Sequence, residues 1–208
     1  PNTKAIFFCS PNNPSGNAFN SDDIQILLEE FDGIVVIDEA YIDFTDFPSW
    51  SEKRSNYPNL IVTQTLSKAF GLAGLRLGIA IASSEIIALL KRIKPPYNIN
   101  ALSQHHAMEA LRDTKTVNAQ IAESISERKR LAQELNAFSW VVKIYPSDAN
   151  FLLVKVDDAA KRYTELLDQH IVTRDRSSQE NCENCIRISV GTPQENDKLL
   201  AACKSLSE

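Results

Sequence analysis

Three short apolar runs, AIFFC (residues 5–9), IVVID (34–38) and IVTQT (61–65), constrain this chain more than any other feature. They are rich in β-branched residues and lack clean polar–apolar alternation, so strands built from them are expected to be parallel and covered on both faces. Between the first two runs lies a helix signal: Ser21 as N-cap, Asp22 and Asp23 at the positive end of the dipole, and Ile24, Leu27, Leu28 and Phe31 on one face. Strand, helix, strand is βαβ punctuation. A further strand, LGIAIA at 77–82, precedes a helix that starts near Ser84. Lys94-Pro95-Pro96 ends that block, because consecutive prolines cannot continue a helix.

After LSQHHAMEAL the pattern predicts a long helix from about Val117 to Leu135, with Val117, Ile121, Ile125, Ala132 and Leu135 as its apolar stripe. Beyond it, strands near 140–145, 151–156, 171–174 and 185–190 alternate with helices near 159–169 and 193–206. The last helix has the clearest start, since Thr192 and Glu195 can form a capping box with Pro193 at the first helical position. The expected organisation is an α/β domain over 1–115, a joining helix over 116–137 and a smaller α+β domain over 138–208.

Charge and composition narrow the function. The net charge of −5 is interspersed and offers no cationic stripe for a phosphate backbone, which argues against nucleic acid as a partner. No apolar run reaches the ~18 residues of a membrane span, and PNTKAIFFCS lacks the order of a secretory signal, so a cytoplasmic location is the default expectation. Cys9, Cys182, Cys185 and Cys203 are too few and scattered for a disulfide scaffold and are expected as free thiols. Cys182 and Cys185 make one C-x-x-C without a second ligand pair, and His105 and His106, as helix neighbours, are expected to face different sides. No metal site is expected. The chain also starts without Met and almost directly in a buried-looking strand, and so reads as the later part of a longer polypeptide.

Chemistry is expected where strands end. Asp38 closes IVVID, and ligands of open parallel sheets bind at the strands' carboxyl ends. A partly exposed strand-end aspartate is the plain alternative. Tyr41, three residues on, can donate a phenolic hydrogen bond into the same crevice or serve as core. SPNNPSG (10–16) has turn chemistry throughout, and turn formation leaves unexplained why the amide of Asn13 precedes Pro14 at a strand's carboxyl end. Lys68 follows IVTQT by three residues, flanked by Thr65 and Ser67, with Arg76 eight positions on as a bidentate anion ligand. An amine desolvated beside another cation is a competent nucleophile, which is the expectation for Lys68. An apolar strand ending in Asp-Glu also looks like the Mg²⁺-binding segment of a P-loop ATPase, although no G-x-x-x-x-G-K-[ST] accompanies it.

In sequence order, N-P-[ST]-G, D-x-x-Y after a strand, S-K, and an arginine eight later resemble the pyridoxal-phosphate aminotransferases of fold type I. Within that family SPNNPSG, VVIDEAYIDF, TLSKAFGLAGLRLG, SDANFLL (147–153) and CIRISVGT (185–192) are most similar to the histidinol-phosphate branch. The resemblance implies a lysine-bearing large domain with a mainly parallel sheet, followed by a small C-terminal α+β domain. It implies Lys68 as the lysine that holds pyridoxal 5'-phosphate as a Schiff base and Asp38 as the partner of its ring nitrogen. Tyr41 and Asn13 match the ligands of the phenolic oxygen, Thr65, Ser67 and Arg76 those of the phosphate. Arg187 matches the arginine for the substrate's anionic end, with Arg174 as a second anion ligand or a solvated arginine.

The chemistry agrees: a carbanion's charge is drawn into the ring only while the ring nitrogen stays protonated, which a carboxylate maintains, and a freed Lys68 can move the α-proton. The resemblance further implies small-molecule amino donors and acceptors, L-histidinol phosphate with glutamate/2-oxoglutarate, a role in histidine biosynthesis and a homodimer. A phosphate-substrate decarboxylase, an aromatic aminotransferase or a non-catalytic relic of the fold stands as an alternative. The family's N-terminal half, absent here, supplies a backbone contact to the phosphate, a stacking aromatic and a partner-subunit tyrosine, so the chain is expected to hold an incomplete site.

Overall fold

The computed structural model describes residues 2–206. Its contacts divide the chain into two units, one of Pro1–Asn12 with Ala18–Gln120 and the other of Asn13–Asn17 with Ile121–Glu208.

In the first unit β1 (Ala5–Cys9), β2 (Ile34–Asp38) and β3 (Leu60–Thr65) run parallel, and β4 (Gly78–Ala82) joins β3 antiparallel, in the order β1-β2-β3-β4. Val35 and Ile37 on one face of β2 pack with Leu60, Val62 and Trp50 against Ile24 and Leu28 of helix α1 (Ser21–Glu30). Successive strand residues face opposite sides, so Val36 and Asp38 belong to the other face. The expectation of strands buried on both faces holds for the centre of β2 but not for β1. Phe7 is 74% exposed, because β1 is an edge strand and no described element covers that side.

The helix cap also shifts by one residue: Asn20, not Ser21, accepts the Asp22 N–H at 2.7 Å. Asn59 ties off the far end, its amide nitrogen 3.2 Å from the carbonyls of Leu28, Phe31 and Gly33. Helices α2 (Ser84–Ile93) and α3 (Ala101–Arg112) follow, capped by Ser83 and Asn100. On α3 the expectation that His105 and His106 face apart fails. Both imidazoles reach the Glu109 carboxylate, at 3.4 and 3.3 Å, because residues three and four apart share a helix face and one long carboxylate serves both. Among the described residues no group of three or more metal-ligating side chains is assembled. Among the described residues no helix is long and apolar enough to cross a membrane.

Helix α4 (Thr114–Leu135) starts three residues before the predicted point, and the Asp113 carboxylate accepts the Thr116 N–H at 3.2 Å. The second unit is an antiparallel sheet, β5 (Val141–Ile144), β6 (Phe151–Val156), β7 (Arg174–Asp175) and β8 (Cys185–Ser189), in the order β5-β6-β8-β7. Leu152, Val154, Ile186 and Ile188 pack against Leu131 and Leu135 of α4, Leu166 of helix α5 (Ala159–Asp168) and Leu199 of helix α6 (Pro193–Ser205). The capping box at Thr192 and Glu195 is present. The strand expected at 171–174 contracts to Arg174–Asp175. The reason is local: His170 turns left-handed at φ 62° and Ile171 N–H closes back on the Leu166 carbonyl at 2.9 Å, so the preceding residues form a helix-terminating turn.

One polar knot joins α4 to α6. Arg130 donates to both Glu127 oxygens, at 2.9 and 2.7 Å, and the buried Asn196 amide donates to Glu127 at 2.7 Å while accepting Gly191 N–H at 3.0 Å. These donors, Arg130 first, hold the Glu127 carboxyl below the usual range. A carboxyl depressed in the folded state stabilises at pH above its unfolded value near 4.3 and loses that contribution as pH falls through the lower folded value. Acid titration of stability should therefore show a loss below about pH 4.3 that Glu127→Gln makes shallower, while lowering stability at neutral pH. Chemical denaturation at stepped pH measures both.

Candidate active site

The carboxyl edge of the first sheet gathers the polar groups. Asp38 ends β2, and its Oδ1 accepts the Ala40 N–H at 3.1 Å, which turns the chain away from the sheet. Tyr41, three residues on, is buried, and the Lys68 Nζ lies 5.3 Å from the centre of its ring. The sheet is thus what brings Lys68 to Tyr41: both sit in the turns that follow neighbouring parallel strands.

Lys68 itself is exposed, which corrects the expectation of a desolvated amine. A lysine over an aromatic face gains a cation–π attraction without leaving water. The turn that presents it is closed by Gly71 N–H to the Lys68 carbonyl at 3.0 Å, with Gly71 at φ 66°, a conformation that costs glycine nothing. Leu72 N–H to Leu66 O at 2.9 Å and Leu66 N–H to Leu77 O at 3.4 Å hold the loop's two ends.

At the foot of this loop the Thr65 hydroxyl donates to Ser67 Oγ at 2.9 Å and accepts Ser67 N–H at 3.1 Å. Arg76 caps the short helical turn Ala73–Leu75 in the left-handed conformation (φ 54°), and its Nη1 donates to Ala73 O at 3.1 Å. Its guanidinium is exposed and available to an anion.

Sequence reasoning missed Glu39. It is 1% exposed and turned inward, accepting the Ser49 hydroxyl, the Trp50 N–H at 2.7 Å and the Gln64 amide at 2.9 Å. It therefore ties β3 and the 42–53 loop to the end of β2, directly behind Asp38. The only signal in the sequence was its adjacency to Asp38, which pointed to ATPase chemistry instead. A Glu that is consumed by three internal donors cannot activate water for a nucleotide. Glu39→Ala strands those donors at ~1–3 kcal/mol each and should cost roughly 3 kcal/mol or more of stability, read as a lowered midpoint in urea.

The second unit holds the remaining candidates. Arg187, on β8, donates from Nη1 to the Asn13 Oδ1 at 2.9 Å, with its guanidinium 5.1 Å from the centre of the Phe151 ring. The SPNNPSG segment is seated there by Gly16: Asp148 N–H donates to Gly16 O at 2.7 Å, φ is 84°, and a Cβ at this position would lie 2.5 Å from Ser147 Oγ. Arg174 is exposed on β7 and stands directly opposite Arg187 in the ladder, so both guanidiniums leave the same side of the sheet. Like charges directly opposite are destabilising, and an anion between them removes the penalty.

A carboxylate, a phenol, an amine, two hydroxyls and a guanidinium along the carboxyl edge of a mainly parallel sheet define a crevice-type α/β enzyme scaffold, with an arginine pair on a second, antiparallel sheet. The chain belongs to the aminotransferase class I and II family, whose model matches residues 1–203. It is 55% identical over 205 residues to histidinol-phosphate aminotransferase of Flavobacterium psychrophilum, covering 99% of this chain and 59% of that protein. The same enzyme of Parabacteroides distasonis is 52% identical over 204 residues, with 98% and 59% covered. Among solved structures, the histidinol-phosphate aminotransferase from Clostridium acetobutylicum superposes with a TM-score of 0.93 at 29% identity, over 99% of this chain and 64% of that one. The L-threonine-O-3-phosphate decarboxylase from Porphyromonas gingivalis gives 0.87 at 25% identity, over 99% and 65%. The chain spans about 59% of the length of these curated relatives.

Proposed function

We propose that this chain carries the lysine-bearing part of a pyridoxal-phosphate-dependent transaminase that exchanges the amino group of L-histidinol phosphate with 2-oxoglutarate. The observation that carries the proposal is the meeting of Lys68 with Tyr41 at the strand edge that Asp38 terminates. Family membership and the names of the relatives support it.

The donor set fits the cofactor. Asp38 lines a cavity of about 340 Å³ on the sheet face, with Phe7, Cys9, Val36 and Thr63, an apolar surround with one carboxylate as its charged group. A flat aromatic cation suits such walls. Thr65, Ser67 and Arg76 supply hydroxyl and guanidinium donors of the kind a phosphate takes, and Tyr41 supplies a phenol of the kind a phenolic oxygen takes. Pyridoxal phosphate, when bound, supplies an aldehyde that exchanges amines and a protonated ring that accepts the electron pair left by α-deprotonation.

The protein's share follows from its own groups. Asp38, whose carboxylate the Ala40 N–H orients, would hold a proton on the ring nitrogen of a bound cofactor. The Lys68 Nζ would be the group that holds the cofactor's aldehyde and, once free, the base that takes the proton from the substrate's α-carbon. Arg187 and Arg174 hold the anionic end of the substrate, and the mutual repulsion of their charges favours a phosphate or carboxylate there. That preference suits a phosphomonoester donor and a dicarboxylate acceptor alike. Homodimeric assembly belongs to the same proposal and rests on the resemblance, while a cytoplasmic location stays the default expectation of the sequence; sedimentation tests the first.

Mixing the full-length protein with pyridoxal phosphate should produce a visible absorption band that histidinol phosphate converts to the amine form in a single half-reaction. Conversion by phenylalanine without conversion by histidinol phosphate would overturn the substrate assignment. The likeness to the Porphyromonas gingivalis decarboxylase favours a second reading, decarboxylation of a phosphorylated amino acid. Release of CO₂ in place of amino transfer would select it.

A further inference from the structure

We propose that Cys9 is a positioning residue for Asp38, its thiol holding the carboxylate oxygen that Ala40 does not. The two residues are register partners at the ends of β1 and β2, and Ser10 N–H fastens the strands there through the Asp38 carbonyl at 3.0 Å. Asp38 is in turn the register partner of Thr63 on β3. Residues paired across a parallel ladder face the same side, so Cys9, Asp38 and Thr63 form one row across three strands, and all three line the 340 Å³ cavity.

The Cys9 Sγ lies 3.8 Å from Asp38 Oδ2, and the Ala40 N–H takes Oδ1. Each oxygen thus has one donor, a backbone N–H on one side and a thiol on the other. A carboxylate with a single donor can swing about its Cα–Cβ and Cβ–Cγ bonds; two donors from different strands remove that freedom. The thiol is a weak donor, so it orients the carboxylate without neutralising it. Burial first, then the charge and hydrogen bond of Asp38, push the Cys9 thiol up from its ordinary value and keep it protonated as a donor. Cys9 touches no reacting atom in this arrangement and acts through Asp38; its importance for the reaction rests on the proposed role of Asp38.

The test has two arms. In cofactor-free protein, alkylation of Cys9 by iodoacetamide is followed by site-resolved mass spectrometry between pH 7 and 10. Asp38→Asn should speed alkylation at pH 8, because removing the neighbouring charge and its hydrogen bond lowers the thiol's midpoint, although burial still holds it up. An unchanged rate profile overturns the pairing. Asp38→Ser, which also removes the charge, serves where Asp38→Asn does not fold.

In the second arm the cofactor is added to Cys9→Ala and Cys9→Ser. Alanine should shift the pH midpoint of the visible band and lower kcat more than it raises KM, and serine, a hydroxyl donor, should restore both. Alanine and serine both matching the native protein would overturn the positioning role. A native protein that shows no visible band would instead defeat the cofactor reading, while the alkylation arm still decides whether Cys9 holds Asp38.

Discussion

Lys68→Ala is expected to abolish the visible band that pyridoxal phosphate produces and to lower transaminase turnover by at least about 10⁴-fold. Two losses combine. The anchoring amine disappears, and so does the base that takes the substrate's α-proton, a contribution of roughly 10²–10⁴ by itself. Stability should hardly move, because the Lys68 side chain is exposed and its contact with Tyr41 is a partly solvated cation–π pair. Near-native urea midpoints with no band would separate chemistry from folding. A variant that still forms the band would remove Lys68 from the proposed role.

Asp38→Ala should leave a band while lowering kcat by about 10³-fold, in line with what removal of an aimed electrostatic group costs elsewhere. With the carboxylate gone, the proposed partner of a bound ring nitrogen is lost, and the electron pair of deprotonation would lack its cationic acceptor. KM should change much less than kcat, since the group acts on the developing charge and not on ground-state binding. Asp38→Asn separates charge from shape: it keeps an oxygen for Ala40 N–H, so loss of turnover with intact folding would assign the effect to charge. A kcat that falls no further than KM rises would argue for a merely structural aspartate.

Much of the fold was legible because its signals are local. IVVID, with no polar residue before its last position, reads as an interior strand, and it lies between β1 and β3 with Val35 and Ile37 buried. Thr192, Pro193 and Glu195 carry the start of α6 within four residues, and the box forms. Errors cluster where a distant contact decides. The exposure of Phe7 depends on which strand is an edge, and the strand expected at 171–174 shortened to Arg174–Asp175 because the chain turns left-handed at His170 after α5. The misreading of His105 and His106 is local instead, since Glu109, three and four residues on, draws both imidazoles to one carboxylate.

The candidate site divides along the same line. By itself the sequence determined the inventory and its order: Asn13 in SPNNPSG, Asp38 and Tyr41 after a strand, Thr65, Ser67, Lys68 and Arg76 in one loop, Arg187 in a late strand. Residue type and spacing along a strand–turn unit are written in consecutive positions, so they can be read without a fold. Only the tertiary structure decided that Glu39 turns inward to three donors, that Cys9 stands beside Asp38, that Asn13 accepts from Arg187, and that Arg174 faces Arg187 across a ladder. Each of those depends on strand register or on a partner far away in sequence, and register is set by burial summed over a whole sheet, which no short segment contains.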